Sequence, residues 1–357
     1  MRFALTEEQV EFSEAVRGLL ENTCAPDDVR SAWNDAELAG GGSADASGRV
    51  PAAWSALGEM GVLGIMAPES SGGLAMTDED LSPLLVEAGR VALPDPLGAT
   101  AGVAVGALRT ILDQRSDDRV ADLLGRISAG SASVGVLFGA DAGSSVAGSD
   151  LISSAPTIDE LLVFDQDSVE LVGRGSFEFE SVVSVDGARD LAKIIRVDGD
   201  VIATGDLARG VTVTAFDRAA LYASAELVGL SERMVEMAVA YAAERQQFGV
   251  PIGSFQAVKH HLANAAMRVE FAKPLVMRAA HSISHRSPDA SHHVSMAKAR
   301  ASQASDGAAR ASLQVHGGIG YTVECDLHLF MKRAWALSRE FGDARFHTTR
   351  VKRSLSL

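Results

Sequence analysis

Arg245 stands just before a break in a long helical stretch. The segment RQQFGVPIGSFQ, residues 245–256, passes from helix formers through Phe248-Gly249-Val250-Pro251-Ile252-Gly253 and resumes helix at Phe255-Gln256. Arginine offers a planar, permanently charged fork that matches phosphate oxygens. Glycine lets a ligand approach the backbone closely and permits unusual φ. A second glycine-rich stretch, QVHGGIGYTVE, carries Gln314, Gly317, Gly318, Gly320, Tyr321 and Glu324. Together these residues could bind a phosphorylated ligand. Taken alone, 245–256 also reads as a helix–helix turn with a surface arginine. No metal site is expected. His260-His261 and His292-His293 are adjacent pairs, which face different sides of a helix.

The elements that must hold these residues fall into three regimes. Residues 1–128 read as a helical domain. In LTEEQVEFSEAVRGLL, Thr6 and Gln9 have capping-box spacing, and Leu5, Val10, Phe12, Val16 and Leu20 recur at roughly helical spacing. Residues 39–48 are a small-residue loop, Pro51 opens a helix, and Thr77 or Asp78 caps the next. Residues 129–216 read as a small, abbreviated antiparallel β domain. Its strand signals are 131–139, 160–166, 168–172, 182–186, 193–197 and 210–216, β-branched runs separated by Gly, Asp and Ser. Residues 217–357 read as four long helices with alanine-rich faces, an antiparallel four-helix bundle. The fold class is α+β.

Composition narrows the function. The 357-residue chain is 47% hydrophobic and 22% charged, enough to bury a large core. Its net charge of −15 argues against nucleic acid, which needs a basic face. It leaves room for a small phosphorylated ligand held by one or two local cations. Cys24 and Cys325 lie far apart and outside any metal spacing, the pattern of a reduced, cytoplasmic protein. No run reaches the length of a membrane span, so no membrane partner is expected. Trp335 and Phe346 have core spacing, His316 reads as structural, and Lys332 and Arg333 read as solvated helix surface in preference to interface or CoA-side charges.

The pair of motifs, the helix–β–helix order and the N-terminal W-x-x-LGEMG-x-LG-x-x-x-PE-x-x-GG stretch resemble the acyl-CoA dehydrogenase family over nearly the whole chain. The resemblance implies FAD at a subunit interface. Arg245, Gln247, Phe248, Ile252, Phe255, Gln314, Gly317 and Gly318 would support its adenosine and pyrophosphate end. It also implies an acyl-CoA substrate, an electron-transfer flavoprotein as acceptor, and a carboxylate base for the α-proton. The family's usual position for that base, counted on from Gly317, falls on Phe341-Gly342. A second known position falls on Ala219, beside Asp217 and Arg218. No carboxylate occupies either, which leaves Glu340, Asp217 and Glu226 as weak candidates. Glu340 is expected to be turned away by the helix rotation between neighbours.

The flavin loop is also altered. AGSD at 147–150 matches the family's loop, but SVAGSDLISSAPTIDELLVF, 145–164, also aligns with a later strand pair through Gly148, Ile152, Asp159 and Val163. The second alignment preserves a hairpin and deletes most of the flavin loop. The chain and its tail, CDLHLFMKRAWALSREFGDARFH, resemble the short, degenerate subunits that pair with a full-length homologue in actinobacterial steroid side-chain degradation. Three readings follow: the non-base subunit of such a heteromer, a self-sufficient homotetramer with a displaced base, and a cofactor-free scaffold or CoA-thioester binding protein.

Overall fold

The computed structural model describes residues 5–33, 48–140, 142–143 and 146–356. Most of the small-residue loop read at 39–48 therefore lies outside the described residues, as do Asp141, Ser144 and Ser145 of the altered flavin loop. Helix α1 (Glu7–Thr23) starts at a capping box in which Thr6 accepts from Gln9 N and the Gln9 side chain accepts from Thr6 N. Helix α2 (Pro26–Ser31) follows, then α3 (Pro51–Glu59) with proline in its first turn. Thr77 caps α4 (Asp78–Arg90). A π-helical turn, Gly98–Ala104, runs into α5 (Val105–Gln114), and α6 (Asp118–Ser128) closes the first helical layer.

Seven strands follow: β1 (Val134–Phe138), β2 (Leu151–Ile152), β3 (Glu160–Phe164), β4 (Ser168–Gly173), β5 (Phe177–Ser181), β6 (Ala192–Val197) and β7 (Asp200–Thr204). One sheet has the order β1-β3-β4-β7, antiparallel apart from the parallel β1–β3 pair; the other is the antiparallel β2-β6-β5. Alternation sorts the first sheet's side chains. Val134, Val136, Phe138, Leu162 and Phe164 join the main helical core, while Leu137, Leu161 and Val163 join a second core with Ile152, Phe177 and Ala192 of the other sheet. The first sheet is thus a middle layer, covered on both faces, which is why every residue of β1 is buried.

The bundle is built on α7 (Gly205–Glu244), α8 (Gln256–Ser284), α9 (Ala290–His316), α10 (Leu327–Leu337) and α11 (Ala344–Ser354). Central helix α7 packs against α4, α8 and α9. At its crossing with α4, a Cβ on Gly229 would lie 1.9 Å from Val86 O, and one on Gly89 would lie 2.2 Å from Glu226 O. Glycine at both positions lets the two backbones touch. No helix among the described residues is long and apolar enough to cross a membrane.

The structure corrects several local expectations. Residues 210–216 are β-branched but helical; Val211, Thr212, Ala215 and Phe216 are buried at helical spacing, so tertiary packing overrides strand propensity. Residues 182–186 form no strand, and Val183 is 90% exposed. The strands there are β5 and β7 instead. The expected 145–164 hairpin does not form either: β2 and β3 lie in different sheets, and β3 makes its hairpin with β4. The fourth long helix is two helices, broken at 338–343.

Candidate active-site cavity and cofactor-binding edge

The break between α10 and α11 places Glu340 and Phe341 at a cavity. Phe341 has φ +53° and Gly342 has φ +91°, so the chain reverses in the left-handed region. A non-glycine residue there costs about 1–3 kcal/mol and needs surrounding structure to hold it. That structure is two buried bases. Lys298 of α9, fully buried, donates to Gly342 O at 3.0 Å and Ser338 O at 3.2 Å. His347 donates through Nε2 to Phe341 O at 2.8 Å. Burial pushes the Lys298 ammonium down to about 7 and the His347 imidazole down to about 3.

The cavity, about 80 Å³, lies between the π-helical turn, α7, α10 and the β domain. Ala219, Glu226, Glu340 and Phe341 all line it. Four of the five positions weighed for a base therefore share one chamber, and the fifth, Asp217, does not line it. The expectation that Glu340 turns away is corrected, because the turn at 338–343 removes the helical rotation on which it rested. Glu340 instead meets Arg189 of the β domain, Oε1 to Nη2 at 2.8 Å, and accepts from Ser153 Oγ at 3.2 Å. Phe341 packs edge-on to Phe138, centroids 6.0 Å apart. A further cavity of about 310 Å³ lies between the β domain and this turn, and shares Val136, Arg189, Glu340 and Phe341 with the first.

Glu226 has a different environment. It makes no ion pair among the described residues, and desolvation pushes its carboxyl up to about 7, with Glu340 adding to the rise while Arg333 and Arg189 oppose it. Asp217 does not reach the cavity. It is buried against Arg350 Nη1 at 2.9 Å and accepts from Ser291 Oγ. Desolvation raises its carboxyl, and Arg350 opposes the rise.

Sequence reasoning missed Arg189 and Lys298 and misread Arg333. Arg333 is 6% exposed rather than solvated; its Nε lies 2.8 Å from buried Asp186, and its Nη2 has no hydrogen-bond partner among the described residues. Lys332 sits over the Trp33 ring, 4.7 Å from its centroid. Trp335 and Phe346 pack against the core as expected. His316 is buried and stacks on Tyr241, centroids 4.6 Å apart.

That stacking also joins the two glycine motifs at one end of the bundle. After α7, Gln247 pairs with Val250 in a two-residue hairpin turned by Phe248 (φ +52°) and Gly249 (φ +78°). Two successive positive φ values match a type I′ turn. Val315 packs with Ala242, Ile252 and Val258, so half-buried Ile252 anchors the hairpin to the second motif. Arg245, Gln247, Phe255 and Gln314 are exposed, and the Phe248 ring is 93% exposed with only the edge of Phe255 beside it, 6.2 Å between centroids. Arg245 makes no ion pair among the described residues. Gly317 (φ +66°) and Gly318 have nothing within 4 Å of where a Cβ would stand. A charged fork, exposed aromatic rings and bare backbone on one edge fit an adenosine diphosphate group approached from outside this chain.

Comparison with known proteins agrees with this architecture. Residues 209–356 match the model "Acyl-CoA dehydrogenase, C-terminal domain" and residues 6–131 its N-terminal counterpart. The chain is 30% identical to acyl-CoA dehydrogenase IpdE2 of Mycobacterium tuberculosis, over 92% of this chain and 91% of that one. It is 31% identical to acyl-CoA dehydrogenase FadE34 of the same organism over 95% of this chain, but spans only 46% of FadE34. Its fold is shared with a steroid acyl-CoA dehydrogenase variant (TM-score 0.83, 24% identity, 98% of each chain). It is shared too with the ChsE4–ChsE5 complex of M. tuberculosis (TM-score 0.82, 23% identity, 100% of this chain and 99% of that one). This chain belongs to the acyl-CoA dehydrogenase family.

Proposed function

We propose that this chain is the non-base subunit of a heteromeric, FAD-dependent acyl-CoA dehydrogenase. Its partner is a homologous full-length subunit that carries the base. The substrate is an acyl-CoA thioester with a bulky acyl group of the steroid side-chain kind, and the electrons pass on to an electron-transfer flavoprotein. Bound FAD supplies the hydride acceptor. This chain's own part is to hold the FAD diphosphate and adenosine with Arg245, Phe248 and the Gly317-Gly318 backbone, on an edge that none of the described residues covers.

One observation carries the proposal. Both family positions for a base line the cavity as Ala219 and Phe341, and the carboxylate next to Phe341 in the chain, Glu340, is held by Arg189. A general base must come within hydrogen-bond reach of its proton. Two further facts support a pairing of unlike chains. FadE34 is about twice as long as the stretch this chain matches, which leaves room for a second unit of similar size. The shared fold extends to ChsE4–ChsE5, a complex of two differently named chains.

A second reading, a self-sufficient enzyme with a displaced base, is favoured by Glu226: its carboxyl lines the cavity, without an ion pair among the described residues, and its pKa is pushed up to about 7. Expression alone and together with a full-length homologue separates the readings by flavin content. The proposal expects a colourless chain alone and flavin only in the mixed assembly. A yellow homomer with FAD in every chain would support the second reading. Absence of flavin in every combination would leave a cofactor-free scaffold.

A further inference from the structure

Away from that cavity, three metal-competent side chains converge where α4 meets α8. His281 lies in the last turn of α8 and His285, four residues on, is its C-cap, so the two rings stand one above the other at the helix end. Their rings are 4.0 Å apart between centroids. Glu79, in the first turn of α4, reaches across to both: Oε2 is 3.3 Å from His281 Nδ1, and Oε1 is 3.3 Å from His285 Nδ1. One donor atom from each of the three residues lies within 4.8 Å of the others. Ligands at about 2.0–2.1 Å around a tetrahedral ion stand about 3.3–3.4 Å from one another. Each carboxylate oxygen stands at such a distance from one imidazole, Oε2 from His281 and Oε1 from His285, so closing on one ion takes both oxygens or a small rotation of the carboxylate. The side chains are 28%, 60% and 33% exposed for His281, His285 and Glu79, so an ion can enter from solvent.

We propose that Glu79, His281 and His285 bind a divalent transition-metal ion of the zinc class. Two imidazoles and one carboxylate suit Zn²⁺, Ni²⁺ or Cu²⁺ and discriminate against Mg²⁺ and Ca²⁺, which prefer all-oxygen shells. Three protein ligands leave a fourth position for water or an incoming group. On binding, His285 exchanges its 2.9 Å contact with the His281 carbonyl for the ion. The ion would then clamp the N-terminal helical layer to the bundle, since its ligands come from both. It would also stand at the rim of a cavity of about 370 Å³ between α1, α4, α7 and α8, which Glu79 and His281 help line.

The test is Zn²⁺ binding to the metal-stripped full-length chain by equilibrium dialysis, with thermal unfolding as a second readout. The wild type should bind one Zn²⁺ per chain saturably and unfold at a higher temperature when loaded. His281→Ala, and separately the milder Glu79→Gln, should weaken that binding at least about 100-fold, because loss of even an outer partner of a metal ligand costs 10–100-fold. The joint change His260→Ala and His261→Ala, on the exposed start of α8, should leave it unchanged. Absence of a saturable site, or equal affinity in the wild type and both site variants, would overturn the proposal and leave the cluster as a surface carboxylate–imidazole pair.

Discussion

Arg189 Nη2 and Glu340 Oε1 lie 2.8 Å apart, joining the β domain to the turn between α10 and α11 at the wall of the cavity. Both side chains are largely buried, 11% and 18% exposed. Removing one partner from such a pair strands a charge, whereas removing both does not. Arg189→Met should therefore cost about 2–3 kcal/mol of unfolding free energy, and the double change with Glu340→Gln should recover a good part of it. Chemical denaturation of the four proteins measures this coupling. Additive single effects would mean that the pair does not hold the turn.

Lys298 should prove structural despite its lowered pKa. Its ammonium fills the space beneath the turn and donates to two carbonyls there. Lys298→Met removes the donor to Gly342 O and leaves Ser338 O only the long contact from Ser302 Oγ at 3.5 Å, and should cost about 1–3 kcal/mol. It should also open residues 338–343 to limited proteolysis. Protection equal to wild type would contradict the role given to Lys298.

Glu226 predicts a pH dependence with a definite sign. Its folded pKa, about 7, lies above the ordinary 4.5, so the folded chain binds the extra proton. The stabilising contribution of this group is complete below about pH 4.5 and is lost as pH rises to about 7. The residue is only partly buried, so solvent screens part of this contribution and leaves on the order of 2 kcal/mol. Glu226→Gln should flatten the stability profile across that window, measured by denaturant unfolding at several pH values. An unchanged slope would show that another group is responsible.

Arg245→Ala should release flavin from the mixed assembly without unfolding this chain. A charge-assisted phosphate contact contributes about 1.5–3 kcal/mol, so FAD affinity should fall roughly 10- to 100-fold. An exposed residue's loss changes stability by about 0.5 kcal/mol or less. Flavin fluorescence after dilution measures the first quantity and circular dichroism the second. Unchanged affinity would reduce Arg245 to a helix-end surface residue.

The legible parts of this molecule are those encoded locally. Thr6 and Gln9 announce the start of α1, and Gly249 and Gly317 mark the ends of α7 and α9 through the one residue type that adopts positive φ freely. The turn at 338–343 was not legible, because it depends on Phe341 adopting positive φ under the hold of Lys298, forty-three positions earlier, and of His347. Arg333 looked solvated because its partner, Asp186, lies in a different domain. The 210–216 stretch misled for the converse reason: its strand propensity is local, and the buried face that makes it helical is supplied by the rest of the fold. The cavity was half legible. The replacement of both expected base positions could be counted along the chain, but the meeting of Glu226, Glu340, Arg189 and Arg333 around them could not.

The central claim is that this chain supports FAD without supplying the α-proton base, and turnover of the mixed assembly tests it most directly. With flavin content and assembly checked first, dehydrogenation is followed with an artificial electron acceptor for Glu226→Gln, Glu340→Gln and Asp217→Asn, and for replacement of the partner's own glutamate base. Each change in this chain should leave the rate within a few-fold of wild type, while the change in the partner should lower it by roughly 10²–10⁴-fold or more. A comparable collapse in Glu226→Gln, with FAD bound and the assembly intact, would contradict the account and place the base in this chain.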